Sequence, residues 1–200
     1  IIINDAHLWE PGAAYLYQFD ITYGENSAEN TDHYTLPFGV RTIEVTEKEF
    51  KINGKRFYFK GFGKHEDSDI RGKGLDQVLN VRDAELLKWM GANSFRTSHY
   101  PYSEEMMHYQ RDKNHPSVVM WTVTNEPHSS EESARTYFTE VVKQIRSLDD
   151  TRPVTGVMCV DVQEDKISQL FDVICINRYF SWYICTGRIE TIYPMMKISV

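Results

Sequence analysis

The sequence predicts an α/β protein in which the end of a β-rich domain precedes part of a parallel α/β domain. Two observations support this. Up to about residue 60, short β-rich runs are separated by turn residues, a pattern typical of antiparallel strands. From about Gly74 onwards, strand-like and helical segments alternate, which is the order of βαβ units. We therefore assign residues 1–44 to the β-domain and residues 45–200 to the α/β domain.

The β-rich part contains two strand-like runs separated by a polar loop and, after them, one recognisable hairpin. The stretch from Tyr15 to Tyr23 alternates apolar and polar side chains, a polar loop follows, and the run HYTLPFGV resumes the pattern. Further along, Asn53 and Gly54 lie between two β-rich runs. Asn-Gly at such a position is the strongest short-range signal of a two-residue hairpin turn.

The α/β part contains a predicted helix whose C-terminal end is indicated by a glycine. Residues 76–90 carry apolar side chains at helical spacing, and Gly91 follows where a helix usually ends. A second helix is expected after Pro127, with Ser129 and Glu132 as a capping box. Its apolar face, at helical spacing, consists of Ala134, Tyr137, Phe138, Val141, Val142, Ile145 and Leu148. Strand-like PVTGVM, helical DKISQLF and strand-like DVICINRYF complete the alternation.

Composition limits the function classes. The 200 residues are 41% hydrophobic and 13% aromatic, as expected of a globular protein, and the formal charge of −7 argues against nucleic acid as a partner. The three cysteines form no CxxC pair, and Cys159 and Cys175 lie in apolar strand-like runs, so we expect buried thiols in preference to a disulfide framework or a zinc site. The sequence contains no apolar run long enough to cross a membrane. The chain opens on isoleucine, so we expect a fragment whose localisation the sequence leaves undetermined.

A glutamate follows the most apolar strand-like segment. Residues 118–123 do not alternate, which indicates a strand buried on both faces of a parallel sheet. Pro127 cannot donate to a ladder, so the strand should end near Glu126. Ligands of parallel α/β folds bind at this carboxyl end. The alternative is a solvated or capping glutamate without catalytic function.

Polar side chains also follow the carboxyl ends of three other strand-like segments, which makes four such groups with the one that contains Glu126. The four groups are Lys64 to Asp67, Ser98 to Tyr100, Asn125 with Glu126, and Asn177 to Tyr179. Individually, a core histidine or a solvated turn would explain them, but together they predict one catalytic rim for acid–base chemistry on a hydroxyl-rich ligand. Trp121, Tyr179 and Trp182 are expected to desolvate Glu126 and raise its pKa. A glycosidase needs a second carboxylate, for which the sequence alone offers Glu66 or Asp67.

Long motifs connect these segments to a known family. They are GFGKHEDSDIRGKG, TSHYPYSEEM, RDKNHPSVVMW, TNEP, SLDDTRPVT and FDVICINRYFSWY. Together they resemble the β-glucuronidases of glycoside hydrolase family 2, the bacterial ones most closely, from about Leu8 to Glu190. The resemblance implies that residues 1–44 end an immunoglobulin-like β-sandwich domain and that residues 45–200 form part of a (β/α)₈ TIM barrel.

The resemblance also implies roles for individual residues. Glu126 matches the general acid/base of a retaining glycosidase, and the nucleophilic glutamate of the family has no counterpart in this chain. The residues that match substrate-binding positions are Asn125, His99, Asn177, Tyr179, Tyr183 and His65. By this resemblance, Glu66 and Asp67 support the site and neither is the second catalytic carboxylate. The scheme requires no metal and no cofactor.

The remaining expectations concern substrate, partners and chain integrity. The resemblance implies a small glucuronide or oligosaccharide substrate, a homo-oligomer (a tetramer), and a cytoplasmic location. The alternatives are a β-galactosidase or β-galacturonidase of the same family, or a non-catalytic carbohydrate-binding remnant. Arg178 could contact an anionic sugar or hold the rim through a salt bridge. Residues 105–111 match a junction at which the family has further residues, so the 200 residues alone are expected to be poorly soluble and inactive.

Overall fold

A computed structural model describes residues 2–24, 31–100, 102, 115–161, 163–184 and 186–188. The chain divides into two compact units, Ile1–Met120 and Trp121–Val200. The junction predicted at residues 105–111 lies outside the described residues, and so does Cys185.

The β-rich part of the first unit consists of antiparallel strands. Strand β1 (Tyr17–Gly24) pairs with β2 (Thr31–Phe38), and β3 (Ile43–Val45), β4 (Phe50–Ile52) and β5 (Lys55–Arg56) form a second sheet in that order. Asn53 and Gly54 join β4 to β5 with φ angles of 52° and 73°, the left-handed pair that the short hairpin turn requires. The hairpin prediction is confirmed.

The first unit also contains one parallel βαβ element. Strand β6 (Gly61–Lys64) pairs in parallel with β7 (Ser94–Thr97), and helix α1 (Gln77–Trp89) lies between them in sequence. The Asp76 carboxylate accepts the Leu79 N–H at 3.1 Å and caps the start of the helix. Gly91 follows the last turn with φ 75°, which an L side chain rarely adopts. The predicted helix is therefore confirmed at both ends.

The second unit is a parallel three-stranded sheet with one helix packed on it. Its elements are β8 (Trp121–Asn125), α2 (Glu132–Leu148), β9 (Val154–Met158), a 3₁₀ turn (Ser168–Leu170) and β10 (Val173–Ile176). The strand order is β10-β9-β8, and every residue of the central strand β9 is buried. Phe138 and Val142 of α2 pack with Val154, Met158 and Phe171 in the core.

An ionic cluster lies where α2 ends and β8 begins. The Asp149 carboxylate accepts the Trp121 indole N–H at 2.8 Å, pairs with Arg152 at 2.5 Å and accepts the Thr151 hydroxyl at 2.6 Å. Burial acts to raise the pKa of Asp149, but these hydrogen bonds outweigh it and hold the pKa well below its usual range. The cluster therefore ties the end of α2 to the first residue of β8.

The segment before Glu126 differs from its prediction. Strand β8 begins at Trp121, not at Val118, and Thr122 is exposed, so the strand is not buried on both faces. The carbonyls of Pro116 and Val118 accept hydrogen bonds from the Arg41 guanidinium at 2.5 and 2.7 Å. These carbonyls are thus bonded to a side chain before the ladder begins.

The predicted capping box of α2 is wrong. The helix begins at Glu132, and its N-cap residue, Glu131, makes no side-chain capping bond. Ser129 is fully buried, and its hydroxyl donates to Asp165 at 2.9 Å. Glu132 forms an ion pair with Lys166 at 3.3 Å. The two side chains therefore bond to the loop after β9 instead of to each other's backbone.

Candidate active site

Glu126 directly follows β8, and local backbone geometry sets its direction. Its N–H donates to the Val157 carbonyl at 2.8 Å, which extends the β8–β9 pairing by one residue. Thr122 pairs with Thr155, and Asn125 pairs with Val157, so β8 advances three residues where β9 advances two. This irregularity is a β-bulge. Glu126 itself has φ 51°, an uncommon value for a residue other than glycine and one associated with functional sites. The prediction that the strand ends near Glu126 is confirmed.

Two side chains from the end of β10 donate to the Glu126 carboxylate. The Asn177 amide and the Tyr179 hydroxyl both donate to Oε1 of Glu126. The Asn177 amide nitrogen also lies 3.2 Å from the Tyr179 hydroxyl. Because β9 separates β8 from β10, the two donors reach across the central strand of the sheet. The structure thus brings together three of the sequence-predicted residues.

The contact alters the acidity of Tyr179. Its hydrogen bond to Glu126 is the main cause that raises the pKa of Tyr179 from 10.0 to about 12, with burial second. A phenol that donates to a carboxylate resists deprotonation, and the carboxylate is in turn favoured in its charged form. Glu126 therefore has a polar, doubly hydrogen-bonded environment.

Trp121 does not desolvate Glu126 as expected. Trp121 starts β8, and its indole binds Asp149, so it lies about 16 Å along the strand from Glu126 at a rise of about 3.3 Å per residue. Trp182 is 68% exposed. The prediction is wrong for Trp121, because a strand's first and last residues lie at opposite edges of a parallel sheet.

The other predicted residues of this unit line the same strand ends. Asn125 is the last residue of β8 and is half-buried. The Tyr183 ring lies 5.1 Å from that of Tyr179, between centroids, and is 74% exposed. Arg178 donates to the Asn177 carbonyl at 2.9 Å and to the Cys159 carbonyl at 3.4 Å. Arg178 thus holds the ends of β9 and β10 through backbone carbonyls.

Cys159 belongs to this site, although its role was not predicted. It follows the last residue of β9, and burial, followed by the charge of Glu126, raises the pKa of its thiol. Its place at the same strand end was the available signal. Cys159 and Cys175 are free and half-buried thiols. Where the chain is described, no group of three or more His, Cys, Asp or Glu side chains could hold a metal ion.

The first unit holds a separate histidine cluster at the ends of β6 and β7. The His65 and His99 rings lie 5.4 Å apart, edge to face. The Tyr100 hydroxyl lies 3.3 Å from Nδ1 of His65 and accepts the Glu66 N–H at 2.8 Å. Two further sequence-predicted residues are thus adjacent. Glu66 is half-buried beside them, and Asp67 is exposed.

Family models match almost the whole chain. The model described as "Glycosyl hydrolases family 2, TIM barrel domain" matches residues 43–110 and 106–198, and the model described as "Glycosyl hydrolases family 2" matches residues 1–41. The chain belongs to glycosyl hydrolase family 2. The predicted fold class is confirmed: the end of a β-sandwich domain precedes part of a TIM barrel, and the described strands do not form a closed barrel.

Individual relatives agree with the family assignment. A β-glucuronidase of Paenibacillus borealis is 42% identical over 238 residues, covering 95% of this chain and 40% of the relative, and the human β-glucuronidase is 44% identical over 93% of this chain and 35% of its own length. The solved β-glucuronidase of an uncultured Clostridium species is 60% identical with a TM-score of 0.88, covering 96% of this chain and 40% of that one.

One solved relative contains a sugar acid. It is the Ruminococcus gnavus β-glucuronidase in complex with D-glucuronic acid, 36% identical with a TM-score of 0.84, which matches 91% of this chain and 38% of its own. The chain therefore spans about two fifths of the length of these relatives. The resemblance to bacterial β-glucuronidases is confirmed for that span. In the part of the chain that the structure describes, no helix combines the length and apolar character that a membrane span needs.

Proposed function

We propose that the full-length protein is a retaining β-glucuronidase that releases β-D-glucuronic acid from glucuronide conjugates, with Glu126 as general acid/base. The observation that carries this proposal is the convergence of Asn177 and Tyr179 on one oxygen of Glu126. A merely capping or solvated glutamate would not need two side-chain donors from a non-adjacent strand. The glucuronide class of the substrate comes from the relatives, which are β-glucuronidases.

The reaction would proceed in two steps. In the first, Glu126 donates its proton to the glycosidic oxygen as the bond to the sugar breaks, and a glutamate outside this chain forms the glycosyl-enzyme. In the second, Glu126 removes a proton from water as the water attacks the sugar carbon and expels the nucleophile. No metal and no cofactor takes part in these steps.

The hydrogen bonds from Asn177 and Tyr179 to Glu126 would favour the second step of the reaction over the first. Hydrogen bonds from Asn177 and Tyr179 favour the carboxylate, which is the form of Glu126 required as base in the second step. The first step requires the protonated form. A bound sugar hydroxyl that recruits Asn177 or Tyr179 would remove a donor from Glu126 and favour the protonated form, so substrate binding would prepare the acid.

Side chains beside Glu126 are the first proposed substrate contacts. In the second unit, Asn125 and Asn177 offer amides to sugar hydroxyls, and the exposed Tyr183 ring offers an apolar face next to Tyr179. His65 and His99 are proposed as substrate contacts only because they match substrate-binding positions of the family. Arg178 is bonded to carbonyls of the sheet, so we assign the grip on the sugar carboxylate to residues outside this chain.

A panel of p-nitrophenyl glycosides tests the proposal on the full-length protein. We expect the glucuronide to be hydrolysed faster than the galactoside and the galacturonide. Faster hydrolysis of either of these would establish the alternative activity, which the relatives do not favour. Binding of glucuronic acid without turnover of any glycoside would establish the non-catalytic alternative.

We further propose that the protein is a homo-oligomer, and specifically a tetramer, by resemblance to the family. Light scattering coupled to size-exclusion chromatography of the full-length protein measures this directly. A monomer mass would refute it.

A further inference from the structure

Hydrogen bonds join the loop after β8 to the loop after β9 close to Glu126. Ser129 lies shortly after Glu126 and is fully buried, and its hydroxyl donates to Oδ2 of Asp165 at 2.9 Å. In the opposite direction, the Lys166 N–H donates to the Ser129 carbonyl at 2.9 Å. The side chain and the backbone of Ser129 therefore both bond to the loop after β9. We call these contacts the Ser129–Asp165 clasp.

The Asp165 side chain is itself held in place. Its other oxygen, Oδ1, accepts the N–H groups of Ile167 at 2.8 Å and of Ser168 at 2.7 Å. Ile167 is fully buried and belongs to the hydrophobic core of the unit. Because hydrogen bonds to a charged acceptor are stronger than those between neutral groups, Asp165 connects Ser129 firmly to backbone that is anchored in the core.

Glu126 has a backbone conformation that depends on its surroundings. Its φ is 51°, whereas a proline such as Pro127 restricts the residue before it to extended backbone with negative φ. A residue strained in this way persists only where the structure around it fixes the conformation. Contacts on both sides of Glu126 can do so. Before it, the Glu126 N–H donates to the Val157 carbonyl, and beyond Pro127 the clasp holds Ser129.

A tight turn connects the clasp to Glu126. The Ser129 N–H donates to the Pro127 carbonyl at 2.7 Å, which closes a three-residue turn, and the Pro127 ring fixes its own φ. The position of Ser129 thus constrains the peptide that follows Glu126.

We propose that Asp165 is a positioning residue for Glu126 and acts through Ser129. The clasp keeps the Glu126 backbone in its left-handed conformation and so directs the carboxylate towards the glycosidic oxygen. Asp165 itself would transfer no proton. The effect on the reaction rests on the proposed function, whereas the support of the backbone does not.

Hydrogen exchange tests the support of the backbone without any activity. In the full-length protein, the Glu126 amide would be followed by deuterium exchange and fragmentation mass spectrometry. We expect it to exchange about 5- to 10-fold faster in Asp165→Ala and in Ser129→Ala, the effect of one lost hydrogen bond to a charged acceptor. Faster exchange at Ile167 and Ser168 with no change at Glu126 would overturn the proposal, because the clasp would then support only its own loop.

Leaving-group dependence tests the effect on the proposed reaction. The value of kcat/KM reports the first step, in which a poor leaving group needs the proton of Glu126 more than a good one does. In Asp165→Ala we expect kcat/KM to fall about 10-fold for methyl glucuronide and less than about 2-fold for p-nitrophenyl glucuronide, because a displaced acid loses much of its effect. The fraction of folded enzyme cancels in the ratio of the two values. An unchanged ratio would therefore overturn the positioning role.

A conservative variant separates geometry from charge. Asp165→Asn keeps the oxygen that accepts the Ile167 and Ser168 N–H groups, and its amide can donate to the Ser129 hydroxyl oxygen. We expect Glu126 exchange and the ratio of kcat/KM values near those of the wild type. Values as altered as those of Asp165→Ala would overturn the proposal, because they would show that the charge of Asp165 acts and not its place in the clasp.

A matched control is available in the same loop. Asp161 is exposed, and its carboxylate accepts the Gln163 N–H at 3.0 Å. We expect Asp161→Ala to change neither the exchange at Glu126 nor the ratio, and a change as large as that in Asp165→Ala would count against the clasp. If the exchange results are as expected but the wild type hydrolyses no glucuronide, the proposed function fails and the clasp stands. If the wild type hydrolyses glucuronides but the clasp variants change neither quantity, only this inference fails.

Discussion

Replacing Tyr179 with phenylalanine removes one of the two donors to Glu126 and leaves the ring in place. The hydrogen bond to Glu126 is the main cause of a Tyr179 pKa near 12 in place of 10.0. This difference in pKa corresponds to about 2.7 kcal/mol of interaction between the phenol and the carboxylate. Because Tyr179 is half-buried, solvent screening reduces this to about 1–2 kcal/mol, in the range of hydrogen bonds to charged groups.

That energy predicts a shift in the pH dependence of the proposed reaction. The basic limb of a kcat/KM–pH profile reports loss of the proton from the general acid in the free enzyme, in which Tyr179 donates to Glu126. Without the Tyr179 hydroxyl the carboxylate is less stabilised, so the limb should move to higher pH by about 1 unit at about 1.36 kcal/mol per unit. The assay is hydrolysis of a glucuronide with a poor leaving group by the full-length protein and by Tyr179→Phe.

A remote tyrosine supplies the control. Tyr137→Phe removes a hydroxyl from an exposed position on α2 and should leave the limb where it is. A limb that stays in place in Tyr179→Phe, or moves to lower pH, would refute the reasoning, because it would mean that the phenol does not stabilise the carboxylate of the catalytic acid.

The same hydrogen bond has a signature in stability. Because the folded pKa of Tyr179 is raised, its contribution is fully present below the unfolded value of about 10 and is lost as the pH rises through about 12. The free energy of unfolding of the wild type should therefore fall across this window by about 1–2 kcal/mol more than that of Tyr179→Phe. Equal losses in both proteins would contradict the assignment.

Three further substitutions test separate parts of the structure. Glu126→Gln should slow hydrolysis of a poor-leaving-group glucuronide by roughly 10²–10⁴-fold, and less for a good leaving group; near-normal rates would support the capping or solvated alternative. Asp149→Asn should lower the free energy of unfolding by about 2–4 kcal/mol near neutral pH, since it breaks a half-buried ion pair. Folding lowers the pKa of Asp149, so the stability that its carboxylate contributes is present above the unfolded pKa and is lost as the pH falls through the folded pKa. The difference in the free energy of unfolding between wild type and Asp149→Asn should therefore shrink in acid. A difference that stays constant with pH would contradict this. Gly156→Ala should cost about 1–3 kcal/mol by overpacking, because a Cβ there would lie 2.6 Å from the Phe171 ring; an unchanged melting temperature would show that the core can relax.

Local signals predicted the elements that depend only on neighbouring residues. Asn53 and Gly54 adopt the left-handed angles of a hairpin turn, and Gly91 does the same after α1. These positions are set by backbone sterics within a few residues. The strand end at Glu126 was predictable for the same reason, because Pro127 lacks an N–H wherever the chain leads.

Signals that depend on a distant partner were misread. Ser129 and Glu132 have the spacing of a capping box, yet Asp165 and Lys166 bind them. The apolar run before Glu126 suggested a strand from Val118, but Arg41 binds its first carbonyls. In each case a tertiary hydrogen bond or ion pair competed with the local one and replaced it. The pattern of residues carries no record of that competition.

The sequence by itself determined which polar residues stand at strand ends, and hence that Glu126, Asn177 and Tyr179 were candidates. Only the tertiary structure decided that the latter two donate to the same oxygen of Glu126 from 51 and 53 residues away. It likewise decided that Arg96 and Tyr100 contact the histidines. The physical reason is that strand alternation and end signals are local, whereas a contact between strands depends on their order and register, which the packed sheet sets as a whole.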